Sequence, residues 1–90
     1  MKELVEKINS LNLKNMYLND FFLTWEKTDE EIEGVFLVAE LLRKMRENNI
    51  SARIFDSGLG ISLFRDNSTR TRFSFASACN LLGLTVQDLD

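Results

Sequence analysis

The stretch ISLFRDNSTRTRFSF, residues 61–75, decides how this chain reads. Leu59-Gly60-Ile61-Ser62-Leu63-Phe64 is short and rich in apolar residues, which predicts a strand buried on both faces. Arg65-Asp66-Asn67 follows as a loop. A helix is expected from Ser68 or Thr69, with Phe75, Ala78, Cys79 and Leu82 as its apolar stripe and Phe73 and Ala76 on the flank. Gly83 suits the left-handed position that ends a helix. Leu84-Thr85-Val86 then opens a second strand. Strand, helix and strand in that order make an α/β fold with a parallel sheet.

Upstream, Thr28 followed three residues later by Glu31 has the form of a capping box. Asp29, Glu30, Glu31 and Glu33 crowd the start, where the helix dipole favours anions; Arg43, Lys44 and Arg46 fall near the end, where it favours cations. Ile32, Val35, Phe36, Ala39, Leu42 and Met45 recur at helical spacing, so a helix is predicted over about 29–47, stopped at Asn48-Asn49. Residues 1–20 read as a helical or loosely ordered lead-in, with Leu4, Val5, Ile8 and Leu11 as a partial stripe that Asn12, Asn15 and Asn19 weaken. Phe21-Phe22-Leu23-Thr24-Trp25 reads as a short strand or an extended docking segment. Residues 21–90 are assigned to one partial domain.

Ninety residues hold one domain at most. The net charge of −3 and the pI of about 4.9 weigh against a nucleic-acid partner, because such binding depends on neutralising phosphates. No apolar run approaches the roughly 20 residues of a membrane span, and residues 1–4 do not resemble a secretory signal. One Cys and no His give neither an internal disulfide nor a zinc ligand set, which fits a reducing cytoplasm. Gly58-x-Gly60 precedes the strand and lacks a third glycine, so it reads as a tight turn rather than a dinucleotide loop.

Chemistry is therefore expected at residues 68–72. Peptide N–H groups in a first helical turn have no internal partner, and the helix dipole adds partial positive charge there. Ser68, Thr69 and Thr71 add hydroxyls; Arg70 adds a planar fork that grips phosphate or carboxylate oxygens. Together they could form a phosphate cradle without a glycine-rich loop. The same residues could equally be an N-cap with arginines on a solvated face. A Walker-type nucleotide site would need Gly-Lys-Ser/Thr, which is absent.

Read as a whole, Phe64-x-x-x-Ser68-Thr69-Arg70-Thr71-Arg72-x-Ser74-Phe75, followed by Ala78 and Leu82-Gly83, resembles the carbamoyl-phosphate signature of the aspartate/ornithine carbamoyltransferase family. The helix over 28–46, preceded by Phe22-Leu23, resembles the first helix of that family's carbamoyl-phosphate domain, so the resemblance spans roughly residues 21–86. Arg65 stands where ornithine-type members usually carry Glu, and Asp66-Asn67 is also unusual. With Gln87-Asp88-Leu89-Asp90, the chain looks most like the branch whose acceptor is unassigned.

The resemblance implies the N-terminal portion of a doubly wound parallel-sheet domain, truncated. It implies transfer of a carbamoyl group from carbamoyl phosphate to an amine of an amino-acid-like acceptor, with no cofactor and no metal. Carried over residue by residue, Ser68, Thr69, Arg70 and Thr71 would hold the phosphate. Arg70 would also act catalytically on the leaving group, and Thr71 would reach the carbonyl. Arg72 is expected in a structural ion pair, Phe73 and Phe75 in the core, Ser74 bonded locally and Cys79 buried. The family's His-Pro-x-Gln and His-Cys-Leu-Pro motifs cannot occur in a chain without His. The chain is thus expected to be part of a longer enzyme, inactive alone and trimeric when complete. A non-catalytic anion-binding relative or an interaction module is the alternative.

Overall fold

The structure, a computed structural model, describes residues 1–65 and 68–89. The loop expected at Asp66-Asn67 and the terminal Asp90 lie outside the described residues. The chain divides into two compact units, Met1–Ile50 and Ser51–Asp90.

The first unit holds helix α1 (Lys2–Asn9) and helix α2 (Asp29–Glu47). Thr28 caps α2 as its sequence requires. Its hydroxyl accepts from the Glu31 N–H at 3.1 Å, and its own N–H donates to Glu31 Oε1 at 2.8 Å. Glu31 is buried in this closed box, and Glu30 Oε2 accepts from the Asn12 N–H at 2.6 Å. Leu13 lies against Gly34, where an added Cβ would meet Leu13 Cδ2 at 2.7 Å. The small residue thus lets the lead-in approach α2. Asn49 ends the helix with φ of 55°, while the Ile50 and Asn49 N–H groups reach back to the Met45 and Arg46 carbonyls.

The lead-in combines the two readings given for it, a helix and a looser segment. It is helical only to Asn9, and a short 3-10 turn follows at Lys14–Met16. Of the two readings for residues 21–25, a strand or an extended docking segment, the strand does not form, and Leu23 is extended. Thr24–Glu26 forms another 3-10 turn, and Trp25 and Phe22 stand exposed. The first unit holds no strand among its described residues, so it offers no ladder of its own.

The second unit is a β-α-β arrangement. Strand β1 (Leu59–Leu63), helix α3 (Thr69–Leu82) and strand β2 (Thr85–Leu89) follow in order, and the strands pair in parallel, Leu59 opposite Thr85 through Leu63 opposite Leu89. Gly83, at φ of 100°, takes the left-handed position; Leu84 N–H reaches the Cys79 carbonyl at 2.8 Å and Gly83 N–H the Asn80 carbonyl at 3.2 Å. Gly58, at φ of 135°, turns the chain into β1, and its carbonyl accepts from the Thr85 N–H at 3.0 Å.

Burial corrects two expectations in this unit. Strand β1 is covered on one face within the chain: Ser62 is 6% exposed, whereas Leu59, Ile61 and Leu63 are 55–69% exposed. A strand alternates its side chains, and α3 covers only the Gly60/Ser62 side. Helix α3 keeps Phe75, Cys79 and Leu82 of the expected stripe, turned toward Ala76 and away from Ala78 and Phe73. Arg72, Phe75, Ala76, Cys79 and Leu82 are covered, while Ala78 and Phe73 are exposed, Phe73 at 71%. Cys79 sits beneath β1, 2.6 Å from where a Cβ on Gly60 would lie. That close approach sets the helix's rotation and leaves Phe73 out of this unit's core.

Candidate anion site at the start of helix α3

Ser68 is the N-cap of α3, and its side chain makes no capping hydrogen bond. The first backbone bond runs from the Arg72 N–H to the Ser68 carbonyl at 2.9 Å. The N–H groups of Thr69, Arg70 and Thr71 therefore precede the helical ladder, and none bonds a described backbone acceptor. The first turn contains no acidic residue. Ser68 is half-buried, while Thr69, Arg70 and Thr71 are exposed. The expected residues thus come together in one helical turn, beyond the carboxyl end of a parallel strand, where α/β folds place their ligands.

The neighbouring residues are arranged otherwise. Arg72 Nη1 lies 3.3 Å from Asp88 Oδ2, so the expected ion pair forms within the chain. Its guanidinium also stands over the Phe64 ring, 5.9 Å from the centroid. Ser74 donates to the Thr71 carbonyl at 3.0 Å, the expected local bond, and Cys79 is buried as a free thiol. Asp88 and Ser62 were not singled out by the sequence. Their juxtaposition depends on strand register; Ser62 stood out as the one polar residue of β1, whereas Asp88 is one of three polar residues in β2.

A peptide-lined turn carrying one arginine is common chemistry, and similarity to known proteins places the chain in a family. Residues 19–90 match the family described as "Aspartate/ornithine carbamoyltransferase, carbamoyl-P binding domain". The chain belongs to the aspartate/ornithine carbamoyltransferase family. Its β1–α3–β2 unit is consistent with the N-terminal portion of that domain. Over all 90 residues it is 58% identical to the Escherichia coli K12 protein named "Putative carbamoyltransferase YgeW". The same identity holds for the proteins of that name from Escherichia coli O6:H1 (strain CFT073) and O157:H7. The chain spans 22% of the length of these relatives. Among the described residues no helix is long and apolar enough to cross a membrane.

Proposed function

We propose that the first turn of α3 binds the phosphate of carbamoyl phosphate, and that the protein carrying this chain transfers the carbamoyl group to an amine of an amino-acid-like acceptor. One observation supports this above all: in a family whose domain is described by carbamoyl-phosphate binding, α3 opens with no side-chain cap, no acid and Arg70 in its first turn. The N–H groups and hydroxyls of Ser68, Thr69 and Thr71 supply directional donors; Arg70 supplies charge and a bidentate fork.

The reaction needs position and electrostatics more than covalent help. The acceptor amine attacks the carbonyl carbon, a C–N bond forms, and the bond to the phosphate oxygen breaks. Phosphate leaves with the electron pair, and the proton lost by the amine ends on phosphate or solvent. Arg70 stabilises the charge that grows on the leaving group, and Thr71 donates toward the carbonyl oxygen. The same reading carries a cytoplasmic homotrimer in amino-acid metabolism, and no turnover by the 90 residues alone.

The test is phosphate binding and carbamoyl-phosphate-dependent phosphate release by the intact protein, with a panel of amines as acceptors. Release with one class of amine, lost in Arg70→Ala, supports the proposal. Phosphate binding without release for any amine leaves an anion-binding relative. Unchanged phosphate binding in Arg70→Ala removes the site itself.

A further inference from the structure

We infer that Asp88 is a positioning residue for the anion site, acting through Arg72, with Ser62 fixing its carboxylate. The inference rests on the phosphate reading above. Ser62 and Asp88 face each other across the parallel pair β1–β2. The Ser62 hydroxyl donates to Asp88 Oδ1 at 2.6 Å, and Arg72 Nη1 meets Asp88 Oδ2 at 3.3 Å. The two carboxylate oxygens are thus divided between a strand and a helix. Ser62 is buried and the Arg72 side chain is 28% accessible, so the pair is partly shielded on the Arg72 side, while Asp88 is more open at 36%.

Arg72 joins three pieces of the unit. Its N–H bonds the Ser68 carbonyl at the start of the helix; its guanidinium reaches β2 at Asp88; the guanidinium carbon lies over the Phe64 ring, just beyond β1. Residues two apart on an α-helix point about 200° away from each other. Holding Arg72 against the sheet therefore turns Arg70 outward and fixes the azimuth of the whole first turn. Oxyanion recognition depends on such fixed geometry, since donors must already point where the charge will be. The clamp also separates the roles of the two arginines: Asp88 occupies Arg72, and Arg70 is left facing away from that carboxylate.

The sign of the effect distinguishes positioning from charge. By Coulomb's law alone, neutralising a carboxylate near an anion site tightens anion binding. Positioning predicts the reverse. Inorganic phosphate titrated calorimetrically into the intact protein at fixed ionic strength should bind on the order of tenfold more weakly to Asp88→Asn than to wild type. Ser62→Ala keeps both charges and should lose about threefold; it serves as the milder probe where Asp88→Asn does not fold. In an Arg70→Ala background, Asp88→Asn should add little further loss, because it acts through the same turn. Either single variant binding phosphate as tightly as wild type, or more tightly, overturns the inference. If Arg70→Ala itself leaves phosphate binding intact, the phosphate reading fails instead, so the two failures are told apart.

Discussion

Helix α2 starts at Thr28 with a closed capping box and three acids in its first turn, while α3 starts at Ser68 with no side-chain cap and no acid. Both starts follow the same physics. Each presents N–H groups that the helix cannot satisfy and a partial positive charge. In α2 the chain answers these itself, through Thr28, Glu31 and the dipole-matched carboxylates, and Glu30 goes on to hold Asn12. In α3 the first turn adds hydroxyls and the Arg70 charge and no carboxylate. The first arrangement stabilises a fold; the second suits an anion brought from outside. The helix ends, by contrast, are alike: each closes on a left-handed residue, Asn49 or Gly83, with the same pair of returning N–H bonds.

The contrast breaks most sharply at Arg70. Arg70→Ala should lower carbamoyl-phosphate-dependent turnover of the intact protein roughly a hundredfold to a thousandfold, the scale of losing one preorganised charge donor. Its melting temperature should hardly move, since the side chain is exposed. Gly83→Ala comes next and acts on folding. It strains a left-handed residue and drives a Cβ into the Phe55 carbonyl oxygen, so a loss of roughly 2 kcal/mol or more is expected in denaturant titrations. Asn49→Gly at the matching end of α2 should change stability by only a few tenths of a kcal/mol.

Thr28→Ala opens the capping box and should cost about 1 kcal/mol of stability while leaving phosphate affinity at its wild-type value. Ser68→Ala should do the opposite. With no cap bond to lose, its stability cost should fall below roughly 0.5 kcal/mol, while phosphate binding weakens several-fold, as for one hydrogen bond to a charged group. Equal effects of these two substitutions on stability would erase the distinction between the two helix starts.

Much of the second unit was legible because its signals are local. The apolar run before Arg65, the hydroxyls and arginines at 68–72 and Gly83 each act within a few residues, and strand, helix and strand followed in that order. Capping at Thr28 and Glu31 was readable for the same reason. The misreadings share a different cause. Phe73 and Ala78 were placed by periodicity, which gives the spacing of a stripe but not its absolute rotation. Gly60 against Cys79 fixes that rotation, and the pair is 19 residues apart in sequence. Phe21–Trp25 had residues suited to a strand as well as to an extended segment, and the first unit holds no described strand for it to pair with.

Neighbouring residues were enough to specify the start and stop of α2 and α3, the parallel strand pair that flanks α3, and the donors gathered in the turn after β1, because caps, breakers and periodicity are local. Tertiary structure alone decided that Asp88 meets Arg72 and Ser62, and that one face of β1 is covered while the other is not. Those contacts depend on strand register and helix rotation, which arise from interactions between residues far apart in the chain.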